Sequence, residues 1–187
     1  MVNQFQVTVL LGGRSAEREV SLRSGAAVAR ALRALGHVVD EVDPAGESWV
    51  LPAKTEVVFL VLHGEYGEDG QVQSRLETLG VPYTGTDAAG SALAFDKARS
   101  KERFQQNQVA SPRGVLIDSP TSTPPDSIPA PWILKPAAQG SSVGLNRVEE
   151  EAEWDTALAD SLQHGGAVLC EECIQGRELT VGILDGD

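Results

Sequence analysis

The sequence predicts an α/β fold, in which a parallel sheet with helices on its faces comes first and an α+β region follows. Two apolar runs, residues 5–11 and 57–62, have the composition of strands that are buried on both faces. A helical pattern over residues 20–35 lies between them, and this β–α–β order calls for parallel strands. After about residue 100 the predicted strands follow one another directly, which indicates an α+β arrangement.

The first helix is predicted from an apolar stripe that repeats with helical spacing, and Gly36 closes it as the residue after its C-terminus. A strand over residues 38–42 and a helix over residues 70–79 complete the α/β part. The apolar stripe consists of Val20, Val28, Ala31, Leu32 and Leu35.

The second part begins with one or two helices within residues 87–108, where an alanine-rich stretch passes into a charged one. Five of the ten prolines fall between residues 118 and 131, which predicts an irregular connection. An acidic helix is expected over residues 149–163, with its carboxylates near the positive N-terminal end. The remaining strands are predicted over residues 113–117, 132–135, 145–148, 167–174 and 178–184.

The charge of the chain excludes two classes of partner. Its 187 residues carry 15 Lys and Arg against 27 Asp and Glu, a net charge of −12. Such a surface repels nucleic acid and anionic membranes, whereas a phosphorylated small molecule needs only local positive charge. No apolar run reaches the length of a membrane span, and the first residues show no secretory signal. We therefore expect a cytoplasmic protein.

The two cysteines, Cys170 and Cys173, form a single C-x-x-C motif. A zinc site usually takes four ligands, and the only histidine nearby is His164. A redox pair would be expected to open a helix, whereas residues 167–174 have the pattern of a strand with alternating sides. We therefore expect two reduced thiols.

Residues 135–144 are the most informative segment. A strand delivers Lys135 to a loop of small residues that supplies two hydroxyls and a row of backbone amides. Gly140 and Gly144 give that backbone access to conformations closed to other residues. Amides turned toward one anion beside a lysine form a phosphate-binding arrangement. The alternative is a flexible surface turn, and a Walker-type loop is not implied because the lysine precedes the glycines.

Two further loops follow the predicted parallel strands, at the edge where ligands bind in open α/β sheets. Residues 12–19 contain Glu17, a carboxylate that could hold a cationic amine. Residues 63–70 begin with His63, directly after six apolar residues. Taken singly, Glu17 could be a solvated charge near a helix start, and His63 could simply cap the sheet. Their joint position favours a shared site.

Three more charged residues are candidates. Lys97 lies in a charged helical turn, where most lysines face solvent. Glu171 and Glu178 flank Gly176, and a carboxylate at a strand edge could accept from an exocyclic amine or from ribose hydroxyls. The alternative for both carboxylates is exposed strand charge.

With these residues in view, the sequence resembles the D-alanine–D-alanine ligase family of the ATP-grasp superfamily along essentially the whole chain. The resemblance implies a Rossmann-like N-terminal domain over residues 1–96, followed by an α+β ATP-grasp central subdomain over residues 97–187. It also implies that the C-terminal ATP-grasp part is absent from this chain. The segments that carry the resemblance are residues 10–21, 62–70, 82–85, 96–97 and 135–144, with Glu171 and Glu178.

The family's activity is ATP-dependent ligation of two D-alanines through an acyl phosphate, for peptidoglycan synthesis. The resemblance therefore implies ATP with Mg²⁺ or Mn²⁺ as cofactors, and D-alanine as substrate. Glu17 would hold the ammonium of the first D-alanine, with His63 close by. Ser141 would join Glu17 in one catalytic hydrogen-bond network.

The resemblance also assigns the nucleotide-binding residues. The amides of Ser142, Val143 and Gly144 would cover the phosphates, next to Ser141. Lys97 and Lys135 would meet the nucleotide. Glu171 would face adenine, the backbone near Ile174 would meet its ring edge, and Glu178 would bind the ribose.

Two positions depart from the family pattern, since Glu172 stands where a lysine is common and Cys173 where a bulky residue is usual. The extra negative charge at Glu172 could weaken ATP binding. The family's metal ligands and remaining catalytic residues would lie beyond Asp187, so no metal ligand is assigned in this chain and the stretch alone is expected to be inactive.

A homodimer is expected. Two alternatives remain: another ATP-grasp amino-acid ligase, and a non-catalytic nucleotide-binding module.

Overall fold

A computed structural model describes residues 3–121 and 123–182 of the chain. Two sheets, one parallel and one antiparallel, follow each other along the sequence, and three helices lie between them in the chain. The strands are β1 Gln6–Leu10, β2 Val38–Val42, β3 Val57–Leu60, β4 Gly114–Ile117, β5 Trp132–Pro136, β6 Asn146–Val148 and β7 Val168–Glu172. The α-helices are α1 Arg18–Ala34, α2 Gln71–Leu79, α3 Ala88–Phe95, α4 Lys97–Gln106 and α5 Trp154–Leu162.

The first sheet has the order β2-β1-β3, and both pairings are parallel, as predicted. β1 is buried on both faces because successive side chains enter different cores. Leu10 packs into a cluster with Val72 and Leu76 of α2, whereas Val9 packs with Ala29 of α1. β3 is shorter than predicted and ends at residue 60, although the two residues that follow remain buried.

The predicted apolar stripe of α1 was wrong at both ends. Val20 is 44% exposed and Leu35 is 65% exposed. The helix lies so close to the end of β1 that a Cβ added at Gly25 would be 2.4 Å from the Cβ of Leu11. Only small side chains fit against a strand at that distance, so the buried face is narrow. That face consists of Ser21, Gly25 and Ala29. Gly36 follows the helix with φ of +93°, as predicted.

The second sheet has the order β4-β7-β5-β6, with every neighbouring pair antiparallel. α5 covers one face, where the rings of Trp132 and Trp154 meet edge to face with centroids 5.4 Å apart. Lys135 on β5 lies opposite Leu169 on β7. Because side chains alternate along a strand, Lys135, Leu169 and Glu171 share the face away from α5.

Three predictions in this second part were wrong. β7 is buried at residues 168–171 in succession and does not alternate in exposure, because both of its faces are covered. The helix predicted from residue 149 begins at Trp154, after a 3₁₀ turn whose start is fixed by reciprocal bonds between Glu150 and Glu153. Residues 178–182 form no strand, and the last two residues of the strand predicted over 178–184 lie outside the described residues.

Candidate functional site

The loops that follow β1 and β3 lie side by side at the carboxyl edge of the first sheet. The hydroxyl of Ser15 donates to the carbonyl of His63 at 2.7 Å. The same hydroxyl accepts from the backbone N–H of Glu17 at 3.2 Å. One serine therefore ties the loop that contains Glu17 to the loop that contains His63, and the predicted joint position of these two residues is observed.

Glu17 directly precedes α1, and its side chain makes no capping hydrogen bond to that helix. A Cβ added at Gly64 would lie 2.8 Å from Oε2 of Glu17, and one added at Gly140 would lie 2.7 Å from the same oxygen. The carboxylate therefore lies between two glycines that come from different parts of the chain.

His63 lies beside a carboxylate. Its Nδ1 lies 3.6 Å from Oε1 of Glu68, and the other oxygen of Glu68 accepts from the N–H of Gly64 at 2.9 Å. The His63 side chain is 31% exposed. Glu68 therefore closes the turn after β3 and lies beside both the imidazole and Gly64.

The loop after β5, residues 137–144, is fixed at both ends. The backbone N–H of Lys97 donates to Ala137, and its ammonium donates to the carbonyl of Gln139 at 2.6 Å. At the other end the hydroxyl of Ser161 donates to the carbonyl of Gly144 at 2.7 Å. The loop therefore has defined anchors on α4 and α5.

The backbone of this loop differs from the prediction at one glycine. Positive φ angles occur at Ser141, at +53°, and at Gly144, at +65°, but not at Gly140. Position 140 requires a glycine for another reason, because its backbone approaches Glu17 and Gly64 too closely to leave room for a side chain. Among residues 3–121 and 123–182 no hydrogen bond joins Ser141 to Glu17, and Ser141 is exposed.

Three lysines and one glutamate surround a cavity of about 300 Å³ between α4 and the second sheet. The apolar part of its wall includes Ala94, Phe104 and Leu169. The charged part consists of Lys97, Lys101, Lys135 and Glu171.

Glu171 is only 5% exposed, so the alternative of an exposed strand charge was wrong. Its Oε1 accepts from the ammonium of Lys101 at 2.6 Å, and its Oε2 pairs with Lys135. Lys97 is also partly buried and does not simply face solvent. Burial, and then the neighbouring charge of Lys135, lower the pKa of Lys97. A bound anion would relieve that unfavourable environment.

The last two predicted nucleotide-binding residues lie apart from this cavity lining. Ile174 is 65% exposed, and Glu178 is exposed within the unpaired segment that follows β7. Within the described residues, neither Ile174 nor Glu178 is hydrogen-bonded to Glu171 or lies on a strand that pairs with β7.

Of the two positions that depart from the family pattern, Glu172 has a local explanation, and nothing in the structure explains Cys173. Glu172 pairs with Arg113, whose Nε donates to it at 2.9 Å, and the backbone and side-chain bonds from Arg113 lower the pKa of Glu172. Its charge is therefore offset at the sheet edge. Cys170 is a free, buried thiol whose pKa burial raises to about 11, and Cys173 is also free.

No group of three or more His, Cys, Asp or Glu side chains that could hold a metal ion occurs in the described part of the chain. No helix among these same residues is both long enough and apolar enough to cross a membrane.

Sequence reasoning missed four residues of the site. Ser15 and Glu68 lay inside loops that were singled out, but nothing in the sequence indicates which loop residues join the two loops. Gln139 acts through its carbonyl, which no residue type reveals. Lys101 had a usable signal, because it follows Lys97 by four residues and therefore shares its helix face.

Two segments of the chain match sequence models of one protein family. The sequence model described as "D-ala D-ala ligase N-terminus" matches residues 40–86, and "D-ala D-ala ligase C-terminus" matches residues 123–187. A D-alanine–D-alanine ligase of Methylacidiphilum infernorum is 43% identical over 180 residues, which are 96% of this chain and 58% of that protein. One from Aquifex aeolicus is 44% identical over 188 residues, or 98% of this chain and 64% of that protein.

Solved structures agree with the sequence comparison. D-alanyl-alanine synthetase A from Vibrio cholerae superposes with a TM-score of 0.81 at 26% identity, over 94% of this chain and 61% of that one. The VanG D-Ala:D-Ser ligase from Enterococcus faecalis gives a TM-score of 0.78 at 26% identity, over 93% and 64%. The chain belongs to the D-alanine–D-alanine ligase family and has its ATP-grasp fold. It spans about three fifths of the length of the curated relatives it matches.

Proposed function

We propose that the protein containing this chain joins two D-alanines to D-alanyl-D-alanine at the expense of ATP, for peptidoglycan synthesis. The γ-phosphoryl group passes from ATP to a carboxylate oxygen of the first D-alanine, and ADP leaves. The amine of the second D-alanine then attacks the acyl carbon and loses a proton. The bond from that carbon to the phosphate oxygen breaks, and inorganic phosphate is released.

One observation supports this proposal more than any other. The carboxylate of Glu17 lies against Gly140, the next residue back is Gln139, and its carbonyl accepts from the ammonium of Lys97. Glu17, which could bind an ammonium group, and Lys97, which could bind phosphates, therefore contact neighbouring residues of one loop. That is the arrangement a phosphoryl transfer to an amino-acid carboxylate requires.

At the amino-acid end, the carboxylate of Glu17 attracts the ammonium of the first D-alanine, with His63 in the adjoining loop. At the phosphate end, Lys97 and Lys135 and the amides of residues 142–144 stabilise the charge that develops during transfer. Ser141, adjoining these amides, would orient the reacting groups. Closing of the 137–144 loop would keep the acyl phosphate from water.

The adenosine end would be formed by three residues. Glu171 would accept from the exocyclic amine of adenine, the backbone of Ile174 would meet the ring edge, and Glu178 would bind the ribose hydroxyls. Because Ile174 and Glu178 are exposed in this structure, their roles would require the segment after β7 to come to the nucleotide.

Several broader features belong to the same proposal. We expect a cytoplasmic homodimer, with a boundary between an amino-acid domain, residues 1–96, and a nucleotide domain, residues 97–187. Mg²⁺ or Mn²⁺ is expected to accompany ATP in this family. The described residues do not provide a ligand set for such an ion, so none of the steps above is assigned to a metal.

The test is phosphate release from ATP by the full-length protein, with and without D-alanine. Release that depends on D-alanine supports the ligase. D-Serine should be tried as the second substrate, because one structural neighbour is a D-Ala:D-Ser ligase. Release indifferent to D-alanine would indicate another ligase, and ATP binding without release would indicate a nucleotide-binding module.

The assignment of Glu17 has its own test. Glu17→Gln keeps the shape of the side chain and removes the charge, so we expect D-alanine affinity to fall at least tenfold while ATP affinity changes little. Glu19→Gln, on an exposed side chain two residues away, is the matched control. Equal losses of affinity for both ligands in Glu17→Gln would contradict the assignment.

A further inference from the structure

Glu171 is a buried carboxylate whose two oxygens are both engaged by lysines. It is 5% exposed, with Oε1 accepting from Lys101 at 2.6 Å and Oε2 paired with Lys135. A carboxylate at this depth is unfavourable unless it is paired, and these two ammonium groups provide the pairing.

The two lysines are held very differently. The ammonium of Lys101 also donates to the carbonyl of Pro112 and lies 3.5 Å from the hydroxyl of Ser111. An ammonium has three donors, so these acceptors together with Glu171 satisfy all of them. The ammonium of Lys135 has Glu171 as its one bonded partner within the described residues. Lys101 is therefore fixed, and Lys135 is free to exchange partners.

The surroundings of Lys135 favour such an exchange. It is on the strand that leads into the 137–144 loop, and it is close enough to Lys97 to lower the pKa of that lysine. Phosphates that bind between these two lysines would attract Lys135 away from Glu171. Oε2 would then become an acceptor, while Lys101 would still compensate the buried charge on Oε1.

We propose that Lys101 is a positioning residue that holds Glu171 for the exocyclic amine of adenine and so sets the preference for adenine over guanine nucleotides. This inference rests on the proposed nucleotide site. Adenine presents an amine, a donor, at the position where guanine presents a carbonyl, an acceptor. A carboxylate oxygen, which accepts hydrogen bonds, held in place by Lys101 therefore binds the first base and repels the second. Lys101 acts through Glu171 and does not itself contact the nucleotide.

The experiment measures the affinity of the full-length protein for non-hydrolysable ATP and GTP analogues by calorimetry. We expect Lys101→Met to weaken binding of the ATP analogue about 10- to 100-fold and to change that of the GTP analogue less than threefold, so that selectivity falls. Lys101→Arg, which keeps the charge, should retain most of the selectivity. Arg103→Met, on an exposed side chain of the same helix, is the control and should change neither affinity.

A double variant separates positioning from direct contact. In Glu171→Gln the buried charge is gone, so adding Lys101→Met should change the affinity for the ATP analogue less than threefold. This pair removes the buried carboxylate and the Lys101 charge together, and the oxygen of the introduced amide can still accept from the ammonium of Lys135, which is partly exposed. Equal losses for both analogues, or an undiminished effect of Lys101→Met in the Glu171→Gln background, would overturn the inference by indicating a phosphate contact.

Failure of the proposed ligase activity would look different. Wild-type protein that binds the ATP analogue selectively but releases no phosphate with D-alanine would refute the ligase while leaving the role of Lys101 supported. Ligase activity with unchanged selectivity in Lys101→Met would refute the role of Lys101 alone.

Discussion

Replacing Gly140 by alanine tests whether the 137–144 loop and Glu17 act as one site. The added Cβ would lie 2.7 Å from Oε2 of Glu17 and 3.3 Å from the Cα of Gly64. The angle φ at Gly140 is not positive, so alanine introduces no backbone strain there. The conflict is therefore with the carboxylate, which is the flexible end of its side chain and will move.

The size of the effect follows from the distance. Ordinary contact begins near 3.4 Å, so the carboxylate must move about 0.7 Å away from the loop. A misplacement of about 1 Å in an active site can lower a rate by about 100-fold. We expect kcat/KM for D-alanine to fall about 10- to 100-fold, which corresponds to about 1.4–2.7 kcal/mol of transition-state stabilisation. The free energy of unfolding should change by less than about 1 kcal/mol, because a flexible group is displaced.

The assay is D-alanine-dependent phosphate release by the full-length protein, with D-alanine and ATP varied separately. Gly46→Ala is the matched control, because nothing lies within 4 Å of a Cβ at that position. An unchanged kcat/KM for D-alanine in Gly140→Ala would refute the reasoning, since it would mean that the loop can take a side chain without disturbing the amino-acid site.

Two further predictions concern the first sheet. Gly25→Ala places a Cβ 2.4 Å from a side chain at the end of β1, so urea denaturation should show a loss of about 1–3 kcal/mol; an unchanged midpoint would contradict the close helix–strand packing. The carboxylate of Asp43 accepts from Arg18, and this bond lowers the pKa of Asp43. The bond therefore stabilises the fold fully above the pKa of an ordinary carboxyl group, and the stabilisation is lost as the pH falls through the lowered pKa of Asp43. Acid unfolding below about pH 4 should therefore be shallower in Asp43→Asn, and equally steep curves would count against the ion pair.

The parallel sheet could be predicted because its strands are buried on both faces, which leaves a continuous apolar run in the sequence. The buried face of α1 could not be predicted from the sequence. Its residues, Ser21, Gly25 and Ala29, are selected by the short distance to β1, and small residues give no signal in a hydrophobic pattern. Val20 and Leu35 are exposed for the same reason, because the close approach of α1 to β1 leaves only a narrow buried face on the helix.

The candidate site shows a similar division. Residues such as Glu17 and Lys135 could be singled out from charge at strand ends and in small-residue loops. Ion pairs between residues distant in sequence could not be predicted. Lys101 and Glu171, for example, are 70 residues apart, and neither is unusual in its local sequence. The assignment of Gly140 to a positive φ failed for a related reason: a glycine required by a close approach and one required by a turn look alike in sequence.

The central claim, an acyl phosphate formed on D-alanine, can be tested with oxygen-18 in the substrate carboxylate. If a carboxylate oxygen attacks the γ-phosphorus and later leaves with it, each released phosphate will contain one oxygen derived from D-alanine. Mass analysis of phosphate from a single turnover of the full-length protein should therefore show one label per molecule. Unlabelled phosphate, released while dipeptide accumulates, would contradict the account.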